Sequence, residues 1–212
     1  RAYERNFISK NQLKVTIQVI ENFSLLFVIA GKSPSGIERI YSKYAIETEK
    51  LKNSGDYNEI LKKIKTTLKD KVPKYEEFEP NFLALNYDES KELCKLILQK
   101  INYTHYSQSR NVQFQNVGLE HVLPEKPDKA WKLKEKDIKS YVHLLGNLTL
   151  LENSYNEKVG NKWIEDKMPY YGKSVIEMTK EFGKNLKKWT KDEIDKRGKE
   201  LASIAYNDVW KL

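Results

Sequence analysis

Two stretches decide the fold class of this chain: Glu-His-Val-Leu-Pro at 120–124 and His-Leu-Leu-Gly-Asn-Leu-Thr-Leu-Leu-Glu-Asn-Ser-Tyr-Asn at 143–156. The first predicts a short strand that ends at Pro124, because proline does not continue a strand ladder. In the second, residues 147–151 predict another short strand, and Asn153 can cap the helix that follows. The order strand, loop, strand, helix therefore predicts a small ββα motif embedded in the chain.

The segments on either side of this motif have the apolar periodicity of amphipathic helices. Thr190 and Glu193, near the end of the chain, have the spacing of a capping box at the start of a helix. We therefore predict a mainly α protein with three parts: a helical lead-in at 1–110, a ββα core at 111–178, and a C-terminal helix packing on that core at 179–212.

The composition is that of a basic protein without paired thiols. The 212 residues include 38 basic and 30 acidic side chains, and the net charge of +8 is compatible with a nucleic-acid partner without requiring one. The single cysteine, Cys94, lies on an apolar helical stripe, which excludes an internal disulfide and a zinc site built on paired thiolates. A lone core thiol is typical of reducing compartments, so we expect a cytoplasmic protein.

The most apolar window, residues 13–30, predicts a buried helix and no membrane association. Four polar residues between 18 and 24 interrupt it, so it falls short of the roughly 20 apolar residues that a membrane span needs. It also lacks the basic lead and cleavage site of a signal peptide. The sequence starts at Arg1 rather than at methionine, and we therefore expect it to be part of a longer protein.

Three polar side chains in the two quoted stretches could meet at one site. His121, at the end of the first strand, has an unperturbed pKa of about 6.5, which suits it to accept a proton from water. Glu120 offers a carboxylate, the kind of ligand that Mg²⁺ prefers. Asn156 lies nine positions after Asn147, so a tight turn would bring it back beside the first strand. This combination predicts a metal-assisted phosphodiesterase site.

The stretch from Glu120 to Asn156 resembles the ββα-metal fold of HNH (His-Me finger) endonucleases. Their pattern is an acidic residue and histidine at the end of the first strand, then Asn-Leu-x-x-Leu, then His or Asn nine residues after that Asn. The two quoted stretches, with the Trp, Lys, Tyr and Ser that follow them, are similar to the C-terminal domain of GmrSD-type restriction proteins. Residues 20–41 resemble that family's helical lead-in and residues 189–210 its closing helix, so the resemblance covers most of the chain.

This resemblance implies a hydrolase that cuts DNA with a divalent metal ion, Mg²⁺ or Mn²⁺. His121 would be the general base that activates the attacking water, and Asn147 would brace the loop that holds this base. Glu120 and Asn156 would be the protein ligands of the metal ion. His143 would stabilise the loop or approach the scissile phosphate.

The resemblance also implies partners for the chain. Phage or modified DNA would be the substrate, and the chain would be the endonuclease or nickase module of a type IV-like restriction or antiviral defence system. A nucleotide-dependent, ParB-like domain would lie upstream. The side chains expected to contact the DNA backbone are Lys158, Lys167, Tyr171 and Lys173.

Two alternative functions remain open at this point. A catalytically weakened DNA-binding or regulatory module of the same fold would fit Glu120, which stands where the family more commonly has aspartate. It would also fit the lack of a strong basic patch. An RNase toxin would use similar chemistry on RNA. The four tryptophans could stack on bases, but their positions at the ends of predicted elements favour core anchors.

Overall fold

The computed structural model describes residues 2–33, 35–51, 56–106 and 114–212. The helices in these ranges are α1 (Lys10–Ile29), α2 (Ser35–Lys50), α3 (Tyr57–Lys69), α4 (Tyr75–Leu83), α5 (Tyr87–His105), α6 (Glu135–Ile138), α7 (Asn153–Val159), α8 (Ile164–Lys173), α9 (Glu177–Asn185) and α10 (Lys191–Ile204). The strands are β1 (Val117–His121) and β2 (Leu148–Glu152). Within the described ranges the protein is mainly helical with a single two-stranded sheet, which confirms the predicted mainly α class.

The chain folds into two units. The first comprises Arg1–Asn81 together with Trp210–Leu212, and the second comprises Phe82–Val209. This division falls upstream of the boundary that the sequence suggested at residue 110. Both strands and all of the predicted site residues lie in the second unit, so the candidate site can be described within that unit.

The first unit is built from amphipathic helices around its own apolar core. α1 begins at a capping box in which Ser9 Oγ accepts from the Gln12 N–H and Gln12 Oε1 accepts from the Ser9 N–H. Among the described helices, α1 has the length and composition that would suffice to cross a membrane, a property that core helices share. One face of α1, including Phe23, packs in the core, whereas Ile17 and Val28 are exposed. The predicted buried helix is therefore buried along one stripe only.

The sheet of the second unit is an antiparallel pair that leads directly into α7. Leu119 of β1 lies opposite Leu150 of β2, and His121 lies opposite Leu148. All residues of β2 except the last are buried, so the strand passes through the core. α7 begins immediately after β2, in the strand, strand, helix order that the sequence predicted.

The tight loop before β2 is held in place by α10. Gly146 has no space for a side chain, since a Cβ there would lie 2.3 Å from the carbonyl oxygen of Ile194. Arg197 of α10 donates from Nη1 to the carbonyl oxygens of Gly146 at 2.7 Å and Leu148 at 2.6 Å. These contacts fix the backbone on both sides of Asn147.

Two predicted helix starts lie close to the observed ones. Thr190 is the N-cap of α10, but its hydroxyl donates to the Glu193 carboxylate instead of accepting from the backbone, so the predicted capping box is not formed. α7 starts at Asn153 itself, one residue earlier than a cap at that position would place it, and Glu152 precedes the helix. The carboxylate of Glu152 accepts from Ser174 and from the N–H of Val175.

The predicted core residues are buried. Cys94 is fully buried, and burial raises the pKa of its thiol to about 11, which leaves it protonated and unreactive at neutral pH. Trp131, Trp189 and Trp210 are also buried, and Trp163 packs edge-on against Trp131. The tryptophans are therefore core anchors, as the sequence favoured.

Candidate active site

The end of β1 presents two neighbouring side chains to opposite faces of the strand, as strand geometry requires. Glu120 is buried and contacts Lys167 and Tyr171 in the interior. His121 contacts His143 and keeps part of its ring exposed. His121 is therefore the more accessible of the two side chains.

The two histidines predicted for the site form one cluster. Nε2 of His121 lies 3.2 Å from Nδ1 of His143, a hydrogen-bond distance, and the rings meet edge-on. The ring of Tyr87 packs edge-on against His121 at 4.8 Å between centroids and stacks on His143 at 6.0 Å. Tyr87 thereby limits the rotation of both imidazoles.

The loop that carries His143 is attached to the chain segment that begins α5. The N–H of Tyr87 donates to the carbonyl oxygen of His143 at 2.9 Å, and the N–H of Leu145 donates to that of Leu85 at 3.2 Å. The side chain of Asp88, in the first turn of α5, lies with Oδ2 3.3 Å from Nε2 of His143. Residues before β1 thus help to place a side chain of the site.

Asn147 is fully buried and joins the loop before β2 to the segment after β1. Its Oδ1 accepts from the Leu123 N–H at 2.9 Å and from Nε1 of Trp189 at 2.8 Å. Its Nδ2 donates to the carbonyl oxygens of Leu123 at 2.8 Å and Val142 at 2.7 Å. Four hydrogen bonds from one side chain make this a rigid connection two residues from His121.

His121 has an electrostatic environment that keeps its ring neutral. Burial lowers the pKa of His121 to about 4, with further lowering by the neighbouring His143 and Lys167. A neutral imidazole retains one lone pair, which a general base or a metal ligand needs. The same low pKa makes His121 a weak base, so it would most readily deprotonate a water molecule whose own pKa has been lowered.

Glu120, the predicted metal ligand, has one carboxylate oxygen held by two donors. Its Oε1 accepts from Nζ of Lys167 at 2.7 Å and from the hydroxyl of Tyr171 at 2.9 Å. Burial raises the pKa of Glu120 and lowers that of Lys167, and the attraction between the two groups opposes both shifts. These two donors hold Oε1 and stabilise the strand end, and the role of Glu120 as a metal ligand stays a prediction.

A cavity of about 230 Å³ opens beside His121. Asn156 lines it, and since Nδ2 of Asn156 donates to the carbonyl oxygen of Leu119 at 3.0 Å, its Oδ1 is the atom that could bind a ligand. Glu125 also lines the cavity, with Oε1 3.7 Å from Nδ1 of His121. The structure therefore brings three predicted site residues, Glu120, His121 and Asn156, to one cavity and adds Glu125.

The donors around this cavity fit a divalent cation. Glu125 and Asn156 offer a carboxylate and an amide oxygen, the donor types that Mg²⁺ and Mn²⁺ take, usually together with water. Among the described residues, three offer one ligand atom each within 4.8 Å of one another: His121, Glu125 and His143. Imidazole nitrogens suit transition ions better than Mg²⁺.

The four predicted contacts to the DNA backbone divide into two pairs. Lys158 and Lys173 are exposed, on α7 and at the end of α8. Lys167 and Tyr171 are fully buried and bound to Glu120, so neither can contact a phosphate. The prediction for Lys167 and Tyr171 is therefore corrected. From sequence alone, a lysine or tyrosine on a helix is expected at the surface, because its buried partner is not visible in the local pattern.

Sequence reasoning missed three residues of the site. Glu125 stands four positions after His121, just beyond Pro124. Its place near the site could have been predicted from the sequence, because this acidic residue directly follows the end of the first strand. Tyr87 and Asp88 lie more than thirty positions before His121, and no local pattern connects them to it. Only the pairing between the start of α5 and the His143 loop places them at the site.

Comparison with known proteins agrees with this geometry. The family model described as GmrSD restriction endonucleases, C-terminal domain, matches residues 72–204, which is more than half of the chain and includes both strands, α7 and the histidine cluster. A comparison with curated proteins found no significant match. The chain therefore belongs to the family of GmrSD restriction endonuclease C-terminal domains, a nuclease module whose substrate is DNA.

Proposed function

We propose that this chain is a metal-dependent DNA endonuclease or nickase of HNH type. The observation that carries the proposal is His121: a neutral imidazole at a strand end, facing a cavity that Glu125 and Asn156 also line. The order β1, β2, α7 and the fully hydrogen-bonded Asn147 support the assignment to the ββα-metal fold.

The reaction is the hydrolysis of a phosphodiester bond. His121 takes a proton from water, the water oxygen bonds to phosphorus, and the bond to the leaving 3′ oxygen breaks. Asn147 holds the strand end so that the imidazole keeps its position. Glu125 and Asn156 would hold a divalent cation, and exposed Lys158 and Lys173 would attract the DNA backbone.

A bound Mg²⁺ or Mn²⁺ would acidify the attacking water and stabilise negative charge on the phosphate. This chemistry complements His121, whose low pKa guarantees a free lone pair but limits its strength as a base. His143 contacts His121 and can therefore orient the base.

At the level of the whole system, the chain is proposed to act in the cytoplasm as the cleavage module of a restriction or antiviral defence system. The contacts proposed for DNA are phosphate contacts, which carry no sequence information. Recognition of modified or phage DNA is therefore assigned to an upstream, nucleotide-dependent ParB-like domain.

The test compares wild type with His121→Ala on supercoiled plasmid in the presence of Mg²⁺ or Mn²⁺. We expect wild type to nick or linearise the plasmid, His121→Ala to lose this activity, and a chelator to abolish it. His105→Ala is the matched control, because His105 is an exposed histidine of the same unit that contacts Asp208. Equal cleavage by wild type and His121→Ala, or cleavage that survives the chelator, would refute the proposal.

A second candidate is a DNA-binding module of the same fold without catalysis. The observation that favours it is the ion pair between Glu120 and Lys167, which competes with a cation for the acidic ligand expected from the resemblance. In this case DNA would be shifted equally in a gel by wild type and His121→Ala, and neither would cut. Parallel assays on RNA separate both candidates from an RNase toxin.

A further inference from the structure

Three side chains form a line that ends at the ring of His121. Oδ2 of Asp88 lies 3.3 Å from Nε2 of His143, and Nδ1 of His143 lies 3.2 Å from Nε2 of His121. The remaining nitrogen of His121, Nδ1, lies 3.7 Å from Oε1 of Glu125. Each imidazole is therefore placed between two polar partners.

The protons along this line depend on one another. A neutral imidazole has one N–H and one lone pair, and a carboxylate can only accept. Asp88 therefore favours an N–H at Nε2 of His143, which leaves the lone pair on Nδ1 of that ring. His121 must then donate from Nε2, and its own lone pair is on Nδ1.

The distances disfavour the opposite arrangement. It would point the lone pair of His143 Nε2 at the Asp88 carboxylate, 3.3 Å away. It would gain no hydrogen bond at the other end, because the 3.7 Å between His121 and Glu125 exceeds hydrogen-bond length. The arrangement that points an N–H of His143 at the Asp88 carboxylate therefore has the lower energy.

We propose that Asp88 is a positioning residue that sets the tautomer of His143 and, through it, leaves Nδ1 of His121 as the proton-accepting nitrogen. This nitrogen is on the side of Glu125, which lines the cavity. The consequence for catalysis rests on the proposed nuclease function, whereas the tautomer of His121 is a property of the folded chain.

The tautomer is measured by long-range ¹H–¹⁵N correlation spectra of metal-free, ¹⁵N-labelled protein at neutral pH. The His121 signals are assigned by their absence in His121→Ala. We expect wild type to show His121 protonated at Nε2 and Asp88→Ala to show a mixture of both tautomers. Glu89→Ala is the control, because Glu89 is an exposed acid on the same first turn of α5. A wild-type His121 protonated at Nδ1, or an Asp88→Ala spectrum identical to wild type, would overturn the assignment.

Plasmid cleavage then tests the catalytic consequence. We expect kcat of Asp88→Ala to fall about tenfold with KM unchanged, the size typical of a lost orienting partner, and Asp88→Glu to recover part of it. Glu89→Ala should cleave like wild type. An unchanged kcat in Asp88→Ala despite a shifted tautomer would overturn the positioning role. If wild type does not cleave, the proposed function fails, and the spectra still decide the tautomer.

Discussion

The two faces of β1 at its end satisfy their polar groups in different ways. On the inner face, Glu120, Lys167 and Tyr171 form a buried cluster, and Lys167 also donates to the carbonyl oxygen of His121 at 2.9 Å. On the outer face, His121 shares one hydrogen bond with His143, and its other ring nitrogen is beyond hydrogen-bond length from the nearest carboxylate.

At one strand end, a stabilising ion-pair cluster lies on one face and the histidine pair of the candidate site lies on the other. Adjacent residues of a strand point to opposite faces. Oε1 of Glu120 is accordingly bound by Lys167 and Tyr171, whereas the ring of His121 meets His143. Glu125 is a second carboxylate at the cavity of His121, because the chain bends after β1 and brings this later residue there. Each face can be disrupted separately.

The largest effect is expected on the inner face. Lys167→Ala would leave the Glu120 carboxylate buried without its cation, and we expect a loss of about 3–5 kcal/mol in the free energy of unfolding, measured with denaturant. Exposed Lys158→Ala is the control, with a change within about 0.5 kcal/mol. A Lys167→Ala protein as stable as wild type would show that the cluster does not stabilise the strand end.

Glu120→Gln tests whether the Glu120 carboxylate contributes to stability or to cleavage. We expect it to lower stability while the cleavage rate of the folded fraction stays close to that of wild type, because Lys167 and Tyr171 already engage the carboxylate through Oε1. The opposite result, unchanged stability with loss of cleavage and of Mn²⁺ binding, would identify Glu120 as the metal ligand that the sequence predicted.

The next largest effect is expected on replacing Asn147, which connects the loop before β2 to the segment after β1. Asn147→Ala leaves buried partners at Leu123, Val142 and Trp189 without a hydrogen bond, so we expect a loss of about 3 kcal/mol and a lower cleavage rate. Asn185→Ala removes a single exposed hydrogen bond and should change stability by less than about 0.5 kcal/mol. Similar unfolding midpoints for the two variants would contradict this expectation.

On the outer face, the lowered pKa of His121 predicts a pH-dependent stability of the metal-free protein. With a folded pKa of about 4 against about 6.5 unfolded, the unfolded chain binds the proton first as the pH falls, so stability decreases below the unfolded value. From about pH 7 to about pH 5 this costs about 2 kcal/mol. His121→Ala should flatten the slope in chelator-treated samples; an identical slope in wild type and variant would exclude His121 as its source.

The smallest effect is expected at the exposed lysines. Lys158→Ala and Lys173→Ala should each weaken DNA binding similarly for all sequences and lower the slope of log K against log salt by about 1. The titration is done by fluorescence anisotropy at several salt concentrations, with exposed Lys196→Ala as control. Equal slopes for all three variants would mean that Lys158 and Lys173 do not contact the backbone.

Local patterns were sufficient to place the main elements of the site. The spacing from His121 through Asn147 to Asn156 predicted two strands and a helix in the correct order, because strand alternation and helix capping depend on neighbouring residues. Local patterns were insufficient for Lys167 and Tyr171, which α8 directs into the interior onto Glu120. A side chain's environment depends on which distant segment packs against it.

The sequence by itself therefore determined the fold class, the family and the identity of His121 as the candidate base, since these depend on residue types at fixed spacing. Only the tertiary structure decided that Glu120 pairs with Lys167, that Glu125 and His143 lie beside the base, and that Asp88 reaches His143 from α5. The physical reason is that hydrogen bonds and ion pairs act over a few ångströms in space, whatever the separation along the chain.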